Sequence, residues 1–196
     1  MKIFKYIIII LVLFPSISLI SQINPDVFLK NSVEEVSAFI AKNKSQLEED
    51  DKFLEKKMND LVIPKFDIVL MSKIALGKET WTSINSNQRD RFVESFKSLM
   101  VRTYMKSLTV FDGEKIKFLP YSPGNRPDVA KVKSLYILGD GNLPVNYRLK
   151  KNDNGDWKVF DIIIDGISLL KNYRSDFKNH VKNKGIESLI KKLNDN

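Results

Sequence analysis

The sequence predicts an α+β domain in which several helices pack on one side of a curved antiparallel sheet of about four strands. Three observations lead there. Apolar residues recur at helical spacing over residues 24–111. After Asp112-Gly113 the period changes to alternation, in short runs separated by turn-forming residues. From Ser168 the helical period returns, so a last helix must lie back across the sheet.

The first helix is expected over residues 24–47, with Val33, Val36, Ile40 and Leu47 along one stripe. The charged run Glu48-Glu49-Asp50-Asp51 breaks it and opens a short second helix holding Phe53, Leu54, Met58 and Leu61. Ile63-Pro64 marks the next boundary, because a residue before proline avoids the α region. Pro64 suits the first position of a helix that reaches about Leu76 and ends at Gly77. Trp81 falls in a connector, where a lone Trp reads as core packing. Asn85 followed by Gln88 has the spacing of a reciprocal N-cap. The longest helix follows, to about Phe111, with Phe92, Phe96, Leu99 and Thr103 on one stripe and Met100, Tyr104, Leu108 and Phe111 drifting beside it.

Strands are expected at residues 115–121, 130–138, 144–151 and 157–164, with 122–127 as a loop and turns at 139–142 and 152–156. The last strand is apolar on both faces. Strict alternation points Phe160, Ile162 and Ile164 one way and Val159 and Ile163 the other, with Asp161 between them. A carboxylate among apolar neighbours is costly unless paired, and Arg174 on the returning helix is the nearest partner in sequence. Asp161 fits either a salt bridge locking strand to helix or a catalytic role. The face without the carboxylate is free to cover something other than protein. Asp165-Gly166 makes the corner into a helix over residues 168–184, and after Gly185 an amphipathic tail holds Ile186, Leu189, Ile190 and Leu193.

A chain of 196 residues suits one domain with an accessory element. It has no cysteine, which excludes disulfides, thiolate metal sites and cysteine nucleophiles. The single histidine, His180, stands among Lys178, Lys182 and Lys184 and reads as a solvated helix residue. The net charge of +8 favours acidic partners: nucleic acid, an anionic membrane or an anionic ligand. Lys2 and Lys5, the apolar run 7–14 and the small residues before Ser21 have the form of a secretory signal, cleaved after Ser21 or Ser18. The apolar run is too short to span a membrane comfortably. Removing two lysines leaves 8 − 2 = +6 on residues 22–196, divided into 22–111 (mainly helical), 112–166 (sheet) and 167–196 (C-terminal helices). Export turns the basic balance away from nucleic acid and towards membranes or lipids, and the missing cysteines suit a bacterial periplasm. No phosphate-cradling loop, zinc-protease motif, nucleophile elbow or calcium loop is present; Asn152-Asp153-Asn154-Gly155-Asp156 lacks the closing Glu.

Several pieces stand in a specific order and spacing: Ile63-Pro64-Lys65-Phe66-Asp67 leading to Ala75-Leu76-Gly77 and Trp81; Gln88-Arg89 with Phe92, Phe96 and Tyr104; and Pro144-Val145-Asn146-Tyr147-Arg148-Leu149. The strongest is Trp157-Lys158-Val159-Phe160-Asp161 through Asp165-Gly166-Ile167-Ser168-Leu169 to Asn172-Tyr173-Arg174, with Lys184-Gly185-Ile186 after it. Over nearly the whole chain this pattern resembles the MlaC family (toluene-tolerance type) of periplasmic phospholipid-shuttle proteins. Two departures are Asp165, where the family often has Glu, and the loop 122–127, which has no anchor in the pattern.

The resemblance implies a cone similar to nuclear transport factor 2, extended by a helical subdomain, whose cavity takes the acyl tails of a phospholipid. It implies no cofactor beyond that lipid ligand, no bond-making and a monomeric, periplasmic carrier in a Gram-negative bacterium. The implied partners are an outer-membrane lipoprotein–porin complex and an inner-membrane ABC transporter with a substrate-binding hexamer, which together maintain outer-membrane lipid asymmetry. The expected lining is Phe66, Leu70, Ile74, Phe92, Phe96, Leu99, Tyr104, Val145, Tyr147, Leu149, Phe160, Ile162 and Ile164, each of which could equally be ordinary core. Two other functions stay open: a cofactor-free enzyme using Asp161 with Tyr147 in the cavity, and a basic adaptor for protein or anionic membrane. Arg148, Lys150 and Lys151 fit headgroup or partner contacts, or a solvated strand face.

Overall fold

The structure, a computed structural model, describes residues 23–110, 113–139 and 141–195; the expected export signal over residues 1–21 lies outside them. Helix α1 (Pro25–Glu49) starts on a proline whose missing N–H costs nothing in a first turn. It bends at Asn43 (φ −122°, ψ 19°), whose side-chain amide donates to the Phe39 carbonyl at 2.8 Å. Asp50 then caps α2 (Asp51–Lys57), accepting from the backbone N–H groups of Lys52 and Phe53.

A π-helical turn (Met58–Val62) and a 3-10 turn (Ile63–Lys65) follow. Pro64 therefore does not open an α-helix as expected. Phe66 is extended (φ −108°, ψ 149°) and bridges to Val159, and the Asp67 N–H donates to the Val159 carbonyl at 2.9 Å. That sheet bond outcompetes the helical turn at this point. Helix α3 (Ile68–Leu76) begins only afterwards, capped by the Asp67 carboxylate on the Leu70 N–H. Gly77 ends it at φ +84°, with the Arg174 guanidinium lying 3.4 Å from where a Cβ would stand. Trp81 belongs to a short helix, α4 (Lys78–Ser83), rather than to a connector, and packs against the helical core. Helix α5 (Ser86–Thr109) opens with the expected reciprocal cap between Asn85 and Gln88.

The sheet comprises β1 (Lys115–Phe118), β2 (Ser122–Pro123), β3 (Val129–Leu138), β4 (Gly141–Lys151), β5 (Trp157–Ile164) and β6 (Ile167–Ser168). Its order is β1-β3-β4-β5-β6, all antiparallel, with β2 following β1 along the same edge of β3. Two two-residue strands account for the excess over the four expected. One of them, β2, lies in the stretch expected to be loop. The other follows the Asp165-Gly166 turn, where both residues have positive φ (48° and 79°), as a two-residue hairpin requires. Helix α6 (Leu169–Asp195) breaks at Gly185 (φ 78°) and resumes, the expected tail being its second half. His180 and Ser188 face each other across that break at 3.1 Å.

Of three hydrophobic clusters among the described residues, one joins α1, α2 and α5 through Ile40, Leu47 and Leu54, and two bear on the sheet. One joins α3, α5 and α6 through Met71, Phe92, Phe96, Leu170, Phe177 and Leu189. Its centre is aromatic: Phe177 meets Phe92 and Phe96 edge-on at 5.7 and 5.8 Å, and Tyr173 meets Phe96 at 5.3 Å. The other covers the inner face of the sheet with Ala130, Val132, Leu149, Trp157 and Val159 against Leu29 of α1. Phe66 touches both.

Candidate functional site

Between the inner face of the sheet and α1, the π-turn and α5 the packing stops short of filling the space. A cavity of about 430 Å³ remains. Helix α1 contributes Phe28, Val33, Val36 and Ile40; the π-turn contributes Met58 and Val62; α5 contributes Met100, Tyr104 and Leu108. The floor is Ile116 of β1, Tyr136 of β3, Leu143, Val145 and Tyr147 of β4, and Val159, Ile162 and Ile164 of β5. Two wall residues, Ser107 and Ile164, are also exposed, so the space reaches solvent at the C-terminal ends of α5 and β5.

The wall is apolar apart from hydroxyls and the Lys65 ammonium, which is paired with Glu35 at 2.6 Å. Tyr136 and Tyr147 share a hydrogen bond of 3.0 Å between their hydroxyls, and Tyr104 lies 3.5 Å from Tyr173 in the same way. Burial raises all three of Tyr104, Tyr136 and Tyr147 above the usual phenol range, Tyr147 most clearly, so they stay neutral donors at any physiological pH. Among the described residues no carboxylate or imidazole stands in the wall, and no group of acidic or histidine side chains could hold a metal ion. Chemically the space offers shape, apolar contact and a few hydroxyls.

Of the expected lining, Phe66, Tyr104, Val145, Tyr147, Ile162 and Ile164 stand on the cavity wall. Leu70, Ile74, Phe92, Phe96, Leu99, Leu149 and Phe160 do not. Phe92 and Phe96 are fully buried against α6, and Ile74, Leu99 and Phe160 pack on the same cluster. Leu149 is fully buried where α1 closes the sheet. Sequence reasoning missed the α1 contribution, although the stripe Val33, Val36 and Ile40 was visible; it also missed Met58 and Val62, which only the π-turn brings inward.

The face assignment of β5 also changes, for one reason. The β4–β5 register shifts between Arg148 and Leu149, so Leu149 pairs with Val159 while Arg148 pairs with Asp161. A bulge resets the alternation. Val159 joins Ile162 and Ile164 at the cavity, while Phe160 packs on the helical cluster and Asp161, opposite Arg148, turns to Ser168. Asp161 is 2 % exposed, accepts from Ser168 Oγ (2.8 Å) and the Leu170 N–H (3.3 Å), and meets Arg148 at 3.4 Å. Its charged partner is thus Arg148 rather than Arg174, which lies over Gly77. Tyr147 pairs with Ile162 on the cavity side, so the sheet separates it from Asp161 and the base-and-donor pair of the enzyme reading is not assembled.

A family model described as MlaC protein matches residues 30–195. The intermembrane phospholipid transport system binding protein MlaC of Haemophilus influenzae is 23% identical over 177 residues, covering 89% of this chain and 82% of that protein. Toluene tolerance protein ttg2D of Pseudomonas putida is 25% identical over 182 residues, covering 91% and 82% respectively. Among solved structures, a phospholipid-binding protein from Ralstonia solanacearum in complex with a phospholipid superposes with a TM-score of 0.79 at 24% identity, over 88% of this chain and 96% of that one. That likeness establishes the fold.

Proposed function

This chain belongs to the MlaC family, and from that premise we propose that it is a periplasmic phospholipid carrier that encloses acyl tails in the cavity under its sheet. The observation that carries the reading is the cavity itself: about 430 Å³, walled by aliphatic and aromatic side chains from α1, α5 and four strands. Its size falls in the usual range of small-molecule sites, roughly 300–1,000 Å³. The names of the relatives support the same reading, since one is a phospholipid transport binding protein and the solved structure holds a phospholipid.

The energetics follow from the wall. Burial of an acyl chain gains about 0.8 kcal/mol per methylene, so two C16 tails stand to gain roughly 25 kcal/mol against water. Spontaneous loss to solvent is then very slow. Release requires direct contact with a partner that offers the tails another apolar path, and energy input comes from that partner. The headgroup sits where Ser107 and Ile164 reach solvent. The partners in this reading are an outer-membrane lipoprotein–porin complex and an inner-membrane ABC transporter with a substrate-binding hexamer. Among the described residues no helix is long and apolar enough to cross a membrane.

Organic extraction and mass spectrometry of protein purified from cells test the proposal. The expected result is co-purified phospholipid at about one molecule per chain. Protein that is folded yet free of lipid, and that takes up none from vesicles, overturns it.

A further inference from the structure

The sheet has a second face, and its chemistry is the reverse of the first. Ile116, Tyr136 and Tyr147 face the cavity and Val132 and Leu149 are fully buried, so their neighbours along each strand point outward. Those neighbours are Lys115 and Lys117 on β1, Lys131 and Lys133 on β3, and Lys150 on β4. The first four are exposed and Lys150 is half-buried. Among the described residues none of the five pairs with a carboxylate. The one acid on the strands of this face, Asp161, is buried and engaged with Arg148. Leu135 and Ile137 continue the Lys131–Lys133 row along β3, opposite Lys117 and Lys115.

We propose that this lysine-rich outer face docks the protein on a bilayer surface rich in anionic phospholipid. Charge complementarity requires an anionic occupant, and residue type selects between a membrane and an acidic protein. Protein interfaces are poor in lysine and take their affinity from Trp, Tyr and Arg. This face shows no exposed aromatic residue on its strands, and its arginine is turned to Asp161. Lysines are compact charges on flexible stems, which adapt to a diffuse plane of charge better than to a bidentate partner. Ile137 and Leu138 at the end of β3, with Ile164 and Ile167 around the β5–β6 turn, are exposed at one end of the sheet. Ile164 is also on the cavity wall, so a bilayer held by the lysines lies close to the cavity's opening. The docking face stands on surface charge and does not depend on what fills the cavity.

Co-sedimentation with vesicles tests it. The wild-type protein should bind vesicles of phosphatidylglycerol and phosphatidylcholine in equal parts, bind pure phosphatidylcholine vesicles far more weakly, and detach as salt rises well above physiological strength. Each lysine at an anionic surface contributes about fivefold to binding. The combined variant Lys115→Gln, Lys117→Gln, Lys131→Gln and Lys133→Gln should therefore bind at least about tenfold more weakly. Equal charge removal on α6, by Lys178→Gln, Lys182→Gln, Lys184→Gln and Lys191→Gln, should leave binding within about threefold of wild type. Thermal melts and lipid extraction on both variants report fold and cavity separately. The inference fails if wild-type protein ignores the anionic vesicles, if both lipid mixtures bind alike, or if the two variants lose binding equally.

Discussion

Asp161 shows how a single buried carboxylate can organise a corner. The chain turns at Asp165-Gly166, passes through Ser168 and enters α6, and the carboxylate reaches across to both the Ser168 hydroxyl and the Leu170 N–H. It therefore meets the positive end of the helix as well as two donors. Ser168 in turn accepts from the Lys171 N–H at 3.2 Å. The contact with Arg148 is longer, and that side chain is 41% exposed, so it contributes less than the two buried donors. Asp161→Ala leaves those donors without an acceptor and should cost about 2–3 kcal/mol in urea unfolding. Asp161→Asn keeps an acceptor oxygen and should cost less. Neither should change the phospholipid that co-purifies, because the side chain points away from the cavity; a loss of lipid with unchanged stability would restore a direct role for Asp161.

At the scale of elements, α5 explains why the expected lining was half misplaced. Phe92, Phe96, Met100 and Tyr104 follow one another at four-residue intervals and make one slowly drifting stripe. Its first half is taken up by α6, through the aromatic contacts to Tyr173 and Phe177, and its second half faces the cavity. Periodicity registers an apolar stripe but carries no information about which neighbour covers it. The same limit applied to β5, where a bulge shifts the faces by one residue and nothing in a run of isoleucines announces it. Boundaries set by local chemistry were legible: the Asn85–Gln88 cap and the Asp165-Gly166 turn stand where the residues themselves dictate, although the turn closes a hairpin where a corner into a helix was expected. Asn85→Ala removes the acceptor for the Gln88 N–H and should lower stability by about 1 kcal/mol, seen as a lower midpoint in a thermal melt.

For the molecule as a whole, the sheet is a partition with an apolar hollow on one side and a field of lysines on the other. Two tryptophan substitutions separate cavity from core. Ile162→Trp projects into the hollow and should sharply reduce co-purified phospholipid while the fold persists. Leu99→Trp overpacks the α3–α5–α6 cluster instead and should cost about 1–3 kcal/mol with lipid per chain unchanged. The reverse pattern in extraction and melting data would move the site to the other cluster. The sequence by itself determined the α+β class, the capped start of α5 and the tight turns, the excess of basic residues and the family resemblance, because each is written in local spacing and residue type. Only the tertiary structure decided which apolar residues meet each other and which are left facing an empty space. A cavity is a failure of distant elements to touch, and that failure is set by the bulge in β5, the π-turn after α2 and the placement of α6, none of which any short stretch of chain encodes alone.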